Sequence, residues 1–256
     1  MKKYLKARAY DFYVDIGKLI YFTRDVVKAV FEKPSEKEEL FRQMFLCGYK
    51  SLPLISITAF IVGLVLSVQS YPVLSTLGAE MWLPSMVLIS VVRELGPVLT
   101  ALIFAGRVAS GFSAELATMR VTEQIEALEV SGINVIKYLV STRVFAAFFM
   151  VPVLVLYTDF VSFVGAYFGM YNVENISFSL YIKKAFDFMS FSDFIPAFFK
   201  TFLFGFVIGV IACYRGYYAQ HGTKGVGNSV NMAVVQSSLA IFIIDLIVVQ
   251  ITNLIL

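Results

Sequence analysis

The sequence is poor in the residues that build metal, redox or catalytic sites. Its 256 residues include two cysteines and one histidine. Cys47 and Cys213 lie far apart among apolar neighbours, which is typical of small buried side chains, so we expect neither a disulfide framework nor a metal site. Neither a GxxxxGK[ST] motif nor the elbow of a serine nucleophile occurs. The chain is therefore not expected to bind ATP by a P-loop or to carry a catalytic site.

Charged residues are also scarce and are unevenly distributed. Asp, Glu, Lys and Arg make up 15% of the chain, hydrophobic residues make up 59%, and the mean hydropathy is +0.78. That apolar share exceeds the share in a soluble domain and indicates an integral membrane protein. Residues 1–50 hold eleven of the 21 Lys and Arg and seven of the 18 acids. We expect this basic N-terminus to be cytoplasmic and lipid-facing rather than a nucleic-acid site.

Five apolar stretches are long enough to cross a bilayer as helices, since about 20 residues at about 1.5 Å each span the hydrocarbon core. The expected spans cover residues 51–70, 84–106, 144–170, 197–219 and 237–256. With the basic connections on one side, the positive-inside rule places the N-terminus in the cytoplasm and the C-terminus outside. The sequence therefore predicts an all-α integral membrane protein with five transmembrane helices.

Residues 1–42 have a different character from the rest of the chain. Within this region, over residues 2–32, apolar residues recur at helical spacing on one side, and lysines and arginines fill the other. This pattern predicts an amphipathic helix in the cytoplasmic membrane interface, with a soluble partner-binding helix as the alternative. We expect this helix to end at Lys33 and Pro34, and a capping box at Ser35 to open the next one. Residues 43–256 form the transmembrane domain.

The second span carries two charges near its middle, Arg93 and Glu94. An ionised side chain at that depth costs about 2.5–3.5 kcal/mol on insertion scales, so both should face a protein interior or a wet cavity. Adjacent residues point in different directions on a helix, so the two need not pair with each other. Gly96 and Pro97 follow, and because Pro97 lacks an N–H the helix should be weakened beside the charges. We interpret the site as a substrate pocket; the alternative is an ion pair that only fixes helix packing.

Two further acids lie inside predicted spans, Asp159 in the third and Asp245 in the last. Intramembrane carboxylates also build proton and ion relays. Together with Glu94 they support a second hypothesis, that the chain is an ion-gradient-driven secondary transporter or channel. A membrane-embedded lipid enzyme is a third hypothesis, which the missing nucleophile and metal clusters make the weakest.

Small residues recur at helix-packing spacing in three places. The pairs are Gly165 with Gly169, Gly205 with Gly209, and Gly106 with Ser110. Such pairs let helix backbones approach closely. We therefore expect helix contacts at these positions, within one chain or between two copies.

The connection between the second and third spans contains the stretch Val121–Gly132, VTEQIEALEVSG. Thr122 is expected to cap a short helix, and Gly132 to end it. Ile125 and Leu128 lie three residues apart and so share one face, with acids around them. A short helix that is apolar on one stripe and acidic around it can fit a groove on a soluble partner. The alternative is an ordinary charged loop.

Several motifs occur together, in one order, along the chain. They are Arg93-Glu94-Leu95-Gly96-Pro97, Ala105-Gly106-Arg107, Ala114-Glu115, Thr122-Glu123-Gln124-Ile125, and Ser237-Ser238-Leu239-Ala240 with Asp245. This combination closely resembles the MlaE-type permeases of ABC transporters. The resemblance covers about residues 45–255 and makes 43–256 an MlaE-type permease domain. The N-terminal segment before it matches only in character.

The resemblance implies a transport subunit without an ATPase site of its own. It implies a homodimer in the inner membrane of a Gram-negative bacterium, with the N-terminus cytoplasmic and the C-terminus periplasmic. The family's partners are a cytoplasmic ABC ATPase that binds the ATP, often a small STAS-domain protein, and a periplasmic ring of MCE-domain proteins. The substrate it implies is phospholipid, moved between the inner and outer membranes, with no cofactor on this chain and no nucleic acid.

The resemblance also implies functional residues. In this family a lipid cavity lies at the dimer interface, and the matching positions here are Arg93, Glu94 and Pro97, with Gln69 and Tyr71 placed near its mouth. The segment that docks on the ATPase matches Glu123, Gln124, Ile125, Glu126, Leu128 and Glu129. Asp159 and Asp245 remain intramembrane acids without an assigned role.

Overall fold

The computed structural model describes residues 2–31 and 37–255. Within these residues the chain is built from helices joined by short turns, and no strand occurs. The α-helices are α1 Lys2–Phe31, α2 Lys37–Gly48, α3 Leu52–Thr76, α4 Leu83–Ser90, α5 Gly96–Phe104, α6 Ser110–Val121, α7 Gln124–Val130, α8 Ser141–Glu174, α9 Phe178–Phe186, α10 Phe191–Tyr217 and α11 Thr223–Ile255. The predicted all-α class is confirmed. The helix end predicted at Lys33 and Pro34 and the cap predicted at Ser35 lie outside the described residues.

Five helical stretches in the described part of the chain are long and apolar enough to cross a membrane. They are Lys37–Thr76, Glu80–Val121, Ile136–Glu174, Phe191–Tyr217 and Thr223–Leu254. The predicted number of spans is confirmed, but the helices run beyond the predicted bounds. α3 continues through Pro72 to Thr76, and α11 begins at Thr223 rather than at residue 237. Polar residues at these ends can be helical in water, so hydropathy alone locates the lipid-crossing part and not the helix ends.

The second spanning stretch is not a regular α-helix. A π-helical turn at Val91–Leu95 joins α4 to α5, and a second one at Ala105–Ala109 joins α5 to α6. In the first turn the Gly96 amide donates to the Val91 carbonyl five residues back, and Pro97 has no N–H to offer the next carbonyl. The predicted weakening of the helix beside the charged pair is therefore confirmed, and it takes the form of a π-turn.

α8 is the centre of the helix bundle and packs against α2, α3, α5 and α10. A Cβ added to Gly165 would lie 2.3 Å from the carbonyl oxygen of Phe60 in α3, and one added to Gly205 would lie 2.5 Å from that of Ala147. These contacts confirm that the first two small-residue pairs lie where helices approach closely. A Cβ on Gly106 would meet no atom of another element within 4 Å, so that glycine makes no close helix contact within the described part of the chain.

α1 packs against the end of α10 that lies next to α7. Phe22 is buried, and its ring meets that of Tyr214 edge-on with centroids 5.6 Å apart. Asp15 accepts hydrogen bonds from the Tyr214 hydroxyl at 2.9 Å and from the Arg215 guanidinium at 2.6 Å. Ile20 points away from the bundle and is exposed. The helix is confirmed, whereas its amphipathic character and its position in the membrane interface stay predictions.

α9 closes the opposite end of the bundle, between the third and fourth spans. The Ser177 side chain caps its start by accepting the Leu180 amide. Tyr181 is fully buried and donates its hydroxyl to the Phe163 carbonyl at 3.0 Å. Burial raises the pKa of Tyr181. α9 packs on α4, where Ser85 donates to the Lys184 carbonyl, and so fixes the place from which α10 starts.

Candidate functional site

Lys200 of α10 points into the bundle, with only 2% of its surface exposed. α10 starts after a capping box in which the Ser190 amide donates to the Asp193 carboxylate at 3.1 Å. The cap fixes the first turn, and the helical repeat then turns Lys200 toward the second and fifth spans. A buried ammonium is costly unless it is paired, so its partners define the site.

The Lys200 ammonium joins two carboxylates from two other spans. Its Nζ atom lies 2.7 Å from Glu94 Oε2 and 2.9 Å from Asp245 Oδ1. Glu94 comes from the π-turn before α5, and Asp245 comes from α11. We call these three residues the Lys200 cluster. The Glu94 side chain is 43% exposed and that of Asp245 19%, so Glu94 is the member that is most open to its surroundings.

Arg93 points away from Glu94 and has a different partner. Its Nη1 atom lies 3.6 Å from Asp193 Oδ1, whereas Glu94 is bound by Lys200. The expectation that the two adjacent residues need not pair with each other is confirmed. The Arg93 contact is long for an ion pair, and Asp193 also serves the cap of α10, so Arg93 is held more loosely than Lys200.

Two cavities adjoin these charges. The smaller, of about 20 Å³, has room for a water molecule. It is lined by the Arg93–Asp193 pair and by Glu94 and Lys200 of the Lys200 cluster. The larger, of about 560 Å³, lies between α10 and α11. Its wall is mostly hydrocarbon, from Phe191, Ile195, Pro196, Phe199, Leu203, Val248 and Ile251, with Ser192, Lys200 and Thr252 as its polar members. The cavity is open on one side, where the Phe191 and Phe199 side chains are exposed, and its volume lies in the range of small-molecule sites.

Lys200 and Asp193 complete the site and are not among the residues predicted from the sequence. The sequence does contain a signal for Lys200, because an ionisable residue inside an apolar span indicates a functional position by default. Asp193 carries no such signal, since it lies in the polar start of α10 and only the fold brings it to Arg93. Of the predicted intramembrane acids, Asp245 joins the site.

Asp159 lies apart from the Lys200 cluster. Its Oδ1 atom is buried and has no hydrogen-bond partner among the described residues. A Cβ added to Gly96 would lie 2.0 Å from this oxygen, so α8 and α5 touch at that point because Gly96 has no side chain. Pro97 is buried beside it and lines neither cavity.

Gln69 and Tyr71 are not brought to the two cavities. Gln69 is exposed on α3. Tyr71 packs against an apolar cluster that includes Leu83, Val87 and Tyr181. Their place at a cavity mouth stays a prediction.

α7 is a short helix that lies outside the spans, as predicted, but its apolar stripe does not face outward. Ile125 is 0% exposed and belongs to the main hydrophobic core, and Leu128 packs against the same core. The chain itself therefore covers Ile125 and partly covers Leu128, and the docking of α7 in a groove of a soluble partner stays a prediction. The outward surface of α7 carries Glu123, Gln124, Glu129 and Val130, and Val130 is 90% exposed.

The ends of α7 differ in how well they follow the prediction. Thr122 does not cap the helix; its hydroxyl donates back to the Thr118 carbonyl at 2.9 Å. The capping position is held by Glu123, whose φ of 59° is left-handed. Gly132 ends the helix with a φ of 78°, as predicted. Glu126 lies 3.0 Å from Arg120 of α6, so this acid is engaged within the chain.

The comparison with known proteins decides the family. The family model described as Permease MlaE matches residues 40–251. This chain belongs to the MlaE permease family. A Rickettsia typhi protein named a probable ABC transporter permease is 39% identical over 236 residues, which cover 92% of this chain and 91% of that protein. Proteins with similar names from Synechocystis sp. and Pyropia yezoensis are each 36% identical, over 87% and 81% of this chain and over 85% and 79% of their own lengths.

The MlaE-family assignment confirms the resemblance that the sequence motifs indicated. The chain is a multi-pass membrane protein and the permease subunit of an ABC transporter. An ABC permease works with an ATPase, so this family assignment implies an ATPase partner. The assignment also favours ATP-driven transport over the ion-gradient-driven alternative.

Proposed function

We propose that this MlaE-family permease is the transmembrane subunit of an ATP-driven transporter that moves phospholipids between the inner and outer membranes. The observation that supports the proposal is the apolar cavity of about 560 Å³ that adjoins the Lys200 cluster. Acyl chains need an apolar wall, and a headgroup needs charged or polar partners. The cavity offers both side by side.

Arg93 is the residue best placed to meet a lipid phosphate. Lys200 is already engaged by two carboxylates at 2.7 and 2.9 Å, whereas Arg93 has one partner at 3.6 Å. A planar guanidinium can bind a phosphate through two parallel N–H bonds. Arg93 can therefore exchange Asp193 for a headgroup while the Lys200 cluster keeps the three spans in place.

The transport step follows from the way α7 is attached. Closure of the ATPase on ATP pushes on the outward surface of α7, which includes Gln124 and Val130. α7 is fixed to α6 through Ile125 and the Arg120–Glu126 pair. α6 continues through π-turns and α5 to Glu94. A displacement of α6 therefore changes the cavity beside the Lys200 cluster and expels the lipid.

The proposal includes the assembly in which the chain works. Its partners are a second copy of itself, a cytoplasmic ABC ATPase, a periplasmic ring of MCE-domain proteins and, as a further subunit, a STAS-domain protein. The membrane is the inner membrane of a Gram-negative bacterium, with the N-terminus in the cytoplasm and the C-terminus in the periplasm. This chain holds no cofactor of its own, and the ATPase binds the ATP.

The proposal is tested by transfer of fluorescent phospholipid in vesicles that hold the reconstituted complex. We expect Arg93→Ala and Glu94→Ala to lower ATP-dependent transfer while the homodimer and its ATPase still assemble. Lys183→Ala, at an exposed lysine of α9 that lines neither cavity, is the matched control and should transfer lipid normally. Transfer at the wild-type rate by both test variants, at equal protein amounts, would refute the roles given to them.

The same vesicles test the ion-driven alternative. A proton or sodium gradient without ATP should drive no lipid transfer. Transfer that follows the gradient and ignores ATP would replace the proposal with secondary transport through Glu94, Asp159 and Asp245.

A further inference from the structure

Arg143 is a fully buried cation on the α7 side of the bundle. It lies in the first turn of α8, with 1% of its surface exposed. Its Nη1 atom donates to the Leu139 carbonyl at 2.7 Å, and its Nη2 atom lies 2.8 Å from Glu115 Oε1. Its Nε atom has no hydrogen-bond partner among the described residues. A buried charge depends on the carboxylate in contact with it, so the Arg143–Glu115 pair should be persistent.

The two partners of Arg143 flank α7 along the chain. Glu115 belongs to α6, which leads into α7. Leu139 belongs to a π-helical turn, Ile136–Val140, which leads from α7 into α8. One guanidinium therefore bonds the segment before α7 to the segment after it. α6, α7 and the start of α8 form a closed frame.

α7 is fastened to this frame at several points. Ile125 is buried in the core, and Glu126 lies 3.0 Å from Arg120 of α6. At its other end the Ile133 amide donates to the Leu128 carbonyl at 3.1 Å. A push on α7 is therefore transmitted to the frame rather than absorbed by a loose loop.

Both helices that Arg143 joins lead to the level of the charged site. α6 continues through a π-turn and α5 to Glu94, roughly 30 Å away at about 1.5 Å per residue. α8 carries Asp159, which touches Gly96 just after the first π-turn. Displacing α6 alone would move Gly96 against Asp159. Displacing α6 and α8 together would move both residues in the same direction.

We propose that the Arg143–Glu115 pair is a clamp that makes α6 and α8 move together when the ATPase pushes on α7. The inference rests on the proposed ATP-driven function. Neither residue lines the cavities beside the Lys200 cluster, so both are positioning residues. Without the pair, α7 still moves and ATP is still hydrolysed, but α8 no longer follows α6, so the change that reaches the cavity is much smaller.

The test variants remove one charge from the clamp. Glu115→Gln and Arg143→Gln break the pair, and Glu115→Asp keeps the charge as the conservative variant. Arg42→Gln is the matched control, because Arg42 lines the same cavity of about 660 Å³ as Glu115 and Arg143 but pairs within α2, with Glu39 at 2.7 Å. Glu115 is 44% exposed, so its change to Gln is the mildest test of the clamp.

The readout is the rate at which a maleimide reacts in the cavity of about 560 Å³ beside the Lys200 cluster. Cys47 and Cys213 are replaced by Ala, and Thr252 on the cavity wall is changed to Cys. A maleimide then labels Thr252→Cys in the purified complex with and without a non-hydrolysable ATP analogue. We expect the analogue to change the labelling rate at least about fivefold when the clamp is intact. We expect less than about a twofold change in Glu115→Gln, with ATP hydrolysis retained. Glu115→Asp and Arg42→Gln should respond as the wild type does.

Several results would overturn the clamp. The first is a full response of the cavity label in Glu115→Gln and Arg143→Gln. The second is a proportional loss of hydrolysis and response, or a complex that fails to assemble, because the pair would then only hold the fold. The third is a wild-type complex whose label ignores the analogue. A wild-type complex that responds but transfers no phospholipid contradicts the proposed function and leaves the clamp standing.

Discussion

At the scale of single residues, Lys200 gives the site its electrostatic character. It is the one member of its cluster that is almost fully buried, and it holds Glu94 and Asp245 at hydrogen-bond distance. Without the ammonium, two carboxylates would face each other in a medium of low dielectric and repel. The three spans that meet there would then lose the contact that sets their spacing.

We predict that Lys200→Met lowers ATP-dependent phospholipid transfer about tenfold or more. Methionine fills a similar volume, so the change removes the charge and leaves the packing. Breaking a buried ion pair costs about 3–5 kcal/mol, and the cost is smaller here because Glu94 is partly exposed. About 1.4 kcal/mol added to the barrier of the transport step already lowers its rate tenfold. Transfer by reconstituted complex is the measurement, with the exposed Lys183→Met as control. Equal transfer by the two variants would contradict a role for the ammonium.

The sequence shows some of this site and not the rest, for a physical reason. Arg93, Glu94 and Asp245 are visible because charge inside an apolar run is expensive and therefore informative. Pro97 predicts the break in the helix because its missing N–H acts locally. The contact between Arg93 and Asp193 joins residues far apart in the chain. No local pattern encodes a pairing of that kind.

At the scale of an element, α7 shows the limit of amphipathic patterns. The stripe of Ile125 and Leu128 predicts a covered face, and the face is covered. The pattern does not say whether the cover is another protein or the same chain. Here it is the same chain, and under the proposed function the ATPase would bind the charged surface that ends at Val130.

We predict opposite effects from truncating two β-branched residues of α7. Ile125→Ala should lower the free energy of unfolding by about 2–5 kcal/mol, because it opens a cavity in a closed core. Val130→Ala should change that free energy by less than about 0.5 kcal/mol and should weaken ATPase binding. Unfolding in detergent and titration with the purified ATPase measure the two quantities. Weaker ATPase binding in Ile125→Ala at unchanged stability, with Val130→Ala normal, would instead place Ile125 in the contact with the ATPase.

At the scale of the whole molecule, five spans and an uneven charge distribution together set the topology. An odd number of spans puts the two termini on opposite sides of the membrane. Eleven of the 21 Lys and Arg lie in residues 1–50, before most of the first span. The number of spans was visible in the sequence because each apolar run is separate. The helix ends were not, because α11 enters the bundle through a polar start at Thr223.

We therefore predict opposite accessibility for two single cysteines in a background without Cys47 and Cys213. Leu77→Cys, in the exposed turn after α3, should react with a membrane-impermeant maleimide on cells whose outer membrane alone is opened. Val130→Cys, at the end of α7, should react only after the inner membrane is broken, because the positive-inside rule predicts that α7 lies on the cytoplasmic side. Both side chains are largely exposed, so a difference in labelling reports the side of the membrane and not burial. The reverse order of labelling would invert the topology and place α7 where no cytoplasmic ATPase could reach it.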